Sequence, residues 1–72
     1  MTYYRKLSRN LTGHEERRLN SIVASYTGNP NAGIGAMPTH DKPRIWLADC
    51  SEDLAEQLDH YLFSLKLIRT RG

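Results

Sequence analysis

Apolar residues recur along the chain in two helical stripes and two short runs of strand-forming residues. Leu19, Ile22, Val23 and Tyr26 stand at i, i+3, i+4 and i+7, one face of a helix with a period of about 3.6 residues. Thr12-Gly13-His14-Glu15 marks its start as a capping box: the Thr12 hydroxyl serves an orphan amide and Glu15 reaches back. Gly28 supplies its stop, and Asn29-Pro30 cannot continue it. Arg17 and Arg18 fall on the side away from the stripe. A second helix is predicted after Asp49 or Ser51, with Glu52 and Asp53 complementing the positive end of its dipole. At 100° per residue, Leu54, Ala55, Leu58, Tyr61, Leu62, Leu65 and Ile68 share an arc of about 140°. Lys66, Arg69 and Arg71 lie towards its C-terminal end, where cations are favoured. Its last turn carries a competing signal. Phe63-Ser64-Leu65-Lys66-Leu67 also alternates with period two, which allows an early stop and a short strand.

Thr2-Tyr3-Tyr4-Arg5-Lys6-Leu7-Ser8 reads as a strand that ends before the turn-prone Arg9-Asn10. Arg44-Ile45-Trp46-Leu47-Ala48 is apolar on both faces and reads as a central strand covered on both sides or flanked closely, with Pro43 just before it. Residues 28–43 are too long a connection for so small a domain to leave structureless. Gly33-Ile34-Gly35-Ala36-Met37 can form a short strand pairing with Arg44–Ala48 across the Pro38–Pro43 turn. The order is then strand, helix, strand, strand, helix: a small α+β domain with both helices on one face of the sheet. A mainly helical domain with irregular ends is the alternative. The expected core is Leu19, Ile22, Val23, Tyr26, Ile45, Leu47, Leu54, Leu58, Tyr61, Leu62 and Leu65.

A chain of 72 residues, taken as 1–72, allows one domain and a marginal core. With 25% charged and 39% hydrophobic residues it lacks the composition of a disordered chain. No apolar run nears the roughly 20 residues of a membrane helix. Met1-Thr2-Tyr3-Tyr4-Arg5-Lys6 has no apolar h-region, and a single cysteine excludes an internal disulfide framework. The expected location is therefore the cytoplasm. Charge is mildly asymmetric. Residues 1–36 hold five basic and two acidic side chains (net +3), and residues 37–72 hold five and six (net −1).

Chemical motifs are sparse. Gly33-Ile34-Gly35-Ala36-Met37-Pro38 follows a helix instead of a strand and has proline at the third glycine's place, so it reads as a loop or edge strand, not a nucleotide loop. Cys50 sits at a predicted helix N-terminus, where the dipole favours thiolate, with His14, His40 or His60 as conceivable bases. No catalytic signature surrounds it, and alternation puts it on the strand face of Trp46, so a packed thiol is the simpler reading. His14, His40, Asp41, Asp49, Cys50 and His60 lack the paired spacings of a zinc site. Asn10-Leu11-Thr12 matches a glycosylation sequon but also serves as the approach to a helix cap. No enzyme and no cofactor is expected.

Two binding surfaces are legible. Phe63 and Leu67, one helical turn apart, fall opposite the apolar arc of the second helix among Glu56, His60 and Asp53, if that helix continues past Ser64. Stacked apolar residues on a wet face suggest a partner protein or a second copy, with Glu56, His60 and Lys66 as a polar rim. The leading expectation is a non-enzymatic intracellular regulator, adaptor- or inhibitor-like, acting by protein–protein contact. The alternative is a weak nucleic-acid module. Tyr3, Tyr4, Arg5, Lys6 and Arg9 interleave aromatics with cations, and Arg17 and Arg18 could assist. In that strand Tyr3, Arg5 and Leu7 face one way, while Tyr4, Lys6 and Ser8 face the other.

Overall fold

The computed structural model describes residues 1–29, 32–37 and 43–69. Along the chain run β1 (Tyr3–Lys6), α1 (Gly13–Thr27), β2 (Gly35–Met37), β3 (Arg44–Leu47) and α2 (Glu52–Ser64). The strands form one antiparallel sheet in the order β1-β3-β2, and both helices lie on one of its faces. This is the expected small α+β fold. The Pro38–Lys42 part of the predicted turn, with His40 and Asp41, lies outside the described residues, as do Pro30 and Arg71.

Local chemistry sets the helix starts. Thr12 Oγ1 accepts from the Glu15 amide at 3.2 Å while Glu15 Oε1 accepts from the Thr12 amide at 2.9 Å, completing the capping box. Ser51 caps α2 by accepting from the Leu54 amide at 3.2 Å. Gly28 closes α1 at φ 72°, a left-handed conformation that glycine adopts without a steric penalty.

Strand alternation then sorts the side chains. Tyr3, Leu7 and Ile45 point inward, and the core continues through Leu19, Val23, Ile34, Cys50, Leu54, Ala55, Leu58, Leu62, Leu67 and Ile68. Ile22, Leu47, Tyr61 and Leu65 flank it, partly buried. Tyr26, expected in the core, is exposed: Leu19 and Val23 take the sheet-facing row of α1, and Tyr26 lines an open groove between the helices with Tyr61, Arg18 and His60. Helices cover β3 on one side only. Trp46 and Arg44, on the strand's other side, face out, so of the two arrangements expected for this strand cover on both sides is not the one formed.

The second helix ends at Ser64, which corrects the placement of Leu67. Lys66 adopts φ 60°, its amide donates to Phe63 O at 3.0 Å, and the Leu67 amide donates to Leu62 O at 3.0 Å. These are the two bonds of a Schellman motif, with lysine where glycine is usual and Leu62 and Leu67 as its buried hydrophobic pair. Leu67 is 1% exposed while Phe63 stays 46% exposed, so the two do not form one surface stripe. Lys66 and Arg69 follow the helix instead of closing it. The turn is anchored to the far end of β1, since Ser8 N and Ser8 Oγ donate to Leu67 O and Lys66 O, each at 2.9 Å.

Candidate functional site

The outer face of the sheet is built by the same alternation that fills the core. In the β1–β3 ladder Tyr4 stands opposite Trp46 and Lys6 opposite Arg44. All four side chains point away from the helices and are exposed, Tyr4 at 41% and Trp46 at 39%. Directly opposed pairs place their Cβ atoms about 4.5–5.5 Å apart, and pairs two residues along a strand follow at about 6.6 Å. An aromatic pair therefore adjoins a cationic pair. No residue of the described strands is acidic.

Across β3 from Tyr4, Trp46 faces Gly35. A Cβ placed on Gly35 would stand 2.5 Å from Trp46 Cε2, 2.7 Å from Cζ2 and 2.8 Å from Nε1. The indole thus lies across bare backbone, in room that only glycine leaves.

The inward side of β1 holds a different arrangement. Tyr3, fully buried, donates from its hydroxyl to Asp59 Oδ1. Arg5 donates from Nε to Asp59 Oδ1 and from Nη2 to Oδ2, each at 2.9 Å, and its guanidinium carbon lies 4.6 Å from the Tyr3 ring centre. Burial, and then the hydrogen bond to Asp59, push the Tyr3 phenol far above its ordinary pKa. The same carboxylate raises that of Arg5. Arg9 is committed likewise, donating from Nη1 and Nη2 to the two Glu15 oxygens at 2.8 Å.

The sequence-predicted nucleic-acid set is therefore divided. Tyr4 and Lys6 reach the outer face, while Tyr3, Arg5 and Arg9 are spent on internal partners. Arg17 and Arg18 are exposed on α1, on the other side of the sheet, with Arg18 beside the inter-helix groove. Trp46 and Arg44 were not foreseen as site residues. Their signal was available: within Arg44–Leu47, Ile45 and Leu47 take one face and leave a cation and an indole on the other.

The partner-binding set is divided too. Glu56, His60 and Phe63 keep an exposed row on α2, and Leu67 leaves it for the core. Phe63 instead borders a shallow hollow with Ser64, Lys66, Ile68 and Arg69. Cys50 is 2% exposed, and burial pushes its thiol pKa up, not down as a helix N-terminus alone would. Nor does it share the face of Trp46. β3 ends at Leu47, and Asp49 at φ 56° turns the chain inward. Among the described residues no group of three or more His, Cys, Asp or Glu is placed to hold a metal ion, and no helix is long and apolar enough to cross a membrane. Comparison with protein-family models, with curated proteins and with solved structures finds no match.

Proposed function

We propose that the protein is a small non-enzymatic module that binds nucleic acid through the outer face of its sheet. One observation carries this reading: the exposed Tyr4–Trp46 pair adjoins the exposed Lys6–Arg44 pair on a face that the helices leave open. Aromatic faces stack on bases and cations neutralise phosphates, the pairing that nucleic-acid-binding sheets use. No carboxylate of the described strands stands beside these cations to repel phosphate. With two cations among the described residues of the face, the affinity is modest and strongly salt-dependent.

The test is fluorescence anisotropy of a labelled oligonucleotide across a salt series, with Lys6→Ala and Arg44→Ala beside the parent. Each substitution should weaken binding and reduce the slope of log K against log salt by about 0.7–0.9. Lack of binding at low salt, or slopes that neither substitution moves, would overturn the proposal.

Protein–protein contact is the second reading, favoured by Phe63. That ring is 46% exposed at the rim of a hollow that also has Lys66 and Arg69, which suits an acidic partner with an apolar anchor. Phe63→Ser should abolish such an association, read by sedimentation, without lowering thermal stability.

A further inference from the structure

We infer that the strand bound on this face is unpaired, and that Gly35 is a positioning residue that sets Trp46 as its stacking platform. The inference rests on the nucleic-acid reading above and names the class of nucleic acid.

Two features of the face favour an unpaired strand over a duplex. A major groove about 12 Å wide admits a helix or a two-stranded ribbon. Three strands spaced by about 4.8 Å, with the side chains of β1 and β3 standing on them, make too broad a slab to enter it. Stacking also needs a base whose π-face is free, and within a duplex both faces are taken by neighbouring base pairs. An unpaired strand offers its bases to Trp46 and Tyr4 and its phosphates to Lys6 and Arg44.

Gly35 decides how Trp46 is presented. Any Cβ there would meet three atoms of the indole at 2.5–2.8 Å, well inside contact distance. The ring is therefore supported from beneath by the β2 backbone. A ring held in one orientation loses less freedom on stacking than a freely rotating one, so the seat raises affinity without touching the ligand. Gly35→Ala would force the indole off the strand and into water.

Trp46 is the sole tryptophan, so its emission reports on the seat and on the ligand in one measurement. The experiment titrates the protein with short oligothymidylate and with a duplex at equal phosphate concentration. Oligothymidylate should quench the emission and bind roughly tenfold or more tightly than duplex, the scale of one base–aromatic stack. Gly35→Ala should shift the emission of the free protein to the red and weaken oligothymidylate binding by roughly tenfold, leaving the weak duplex binding unchanged. In a Trp46→Ala background, followed by anisotropy, Gly35→Ala should cost nothing further, because there is no ring to displace.

Equal affinity for both ligands would overturn the assignment to unpaired strands. Emission and affinity unchanged by Gly35→Ala would overturn the role of Gly35 and leave the nucleic-acid reading standing. An equal loss in the Trp46→Ala background would overturn it too, since Gly35 would then act on the fold alone. Binding of neither ligand would remove the nucleic-acid reading and this inference with it. If Gly35→Ala does not fold, as judged by circular dichroism, Trp46→Ala carries the test of the ligand class: it should lose the preference for single strands.

Discussion

The Tyr3 hydroxyl donates to the Asp59 carboxylate at 2.5 Å across 56 positions of sequence, and neither residue is more than 4% exposed. This bond ties the first strand to the middle of the second helix at the floor of the core. Arg5 completes it from the half-open side. Asp59→Ala would leave a buried phenol without its partner and a guanidinium without its counter-charge. It should lower stability by about 3 kcal/mol, whereas Tyr3→Phe, which keeps the Arg5–Asp59 pair, should cost about half that. Urea unfolding of the two variants measures the difference.

Glu15 makes stability depend on acid. Its carboxylate is held down to about 2, first by Arg9 and then by the Thr12 amide. An unfolded glutamate titrates near about 4.3, so the folded state has the lower pKa and binds protons less readily. The stabilisation is complete above about pH 4.5 and is lost as pH falls through about 2. Glu15→Gln should therefore destabilise at neutral pH, and its deficit should shrink towards pH 2. Denaturant midpoints of both proteins across that interval provide the check.

Lys66 occupies the left-handed position of the turn after α2, where an L-residue costs roughly 1–2 kcal/mol. Lys66→Gly removes that cost, less what glycine adds to the freedom of the unfolded chain. A rise in melting temperature of a few degrees is expected, with circular dichroism at 25 °C unchanged. A fall would mean that the ammonium holds the turn.

Leu67 and Phe63 should respond in opposite ways. Leu67→Ala empties a fully packed site and should cost about 2–5 kcal/mol. Phe63→Ser changes an exposed ring and should stay within about 0.5 kcal/mol of the parent. Thermal unfolding of the pair separates them.

The contrast also marks what could be read from the chain. Thr12 with Glu15, Gly28 and Ser51 announce themselves because caps are local: donor and acceptor lie within three or four residues. The end of α2 was legible only as an alternative, through the period-two alternation of Phe63–Leu67 that allowed an early stop. Its Schellman turn has lysine in the glycine position, so Leu67 also continued an apparent helical row past the true stop. Asp59 gave no sign of burial because its partners are 54 and 56 positions away. Half of the candidate face was visible in the alternation of Tyr4 and Lys6. The other half, Arg44 and Trp46, was hidden because β3 is apolar enough to read as covered on both sides or closely flanked, and apolar character alone does not distinguish a buried indole from a displayed one.

The place of β3 at the centre of the sheet bears on how the chain is assembled during synthesis. β1 is made before α1 and β2, yet its ladder partner is β3. At about 5–20 residues per second, β1 waits some seconds for Arg44–Leu47 to emerge, with its backbone donors and acceptors unpaired. Such an edge invites pairing with a neighbouring nascent chain, and Arg5 and Lys6 place like charges along it that oppose such a meeting. Arg5 then pairs with Asp59 in the finished protein, while Lys6 stays exposed on the outer face. The same short run of charge thus protects the strand before it has a partner and helps to hold it once it has one.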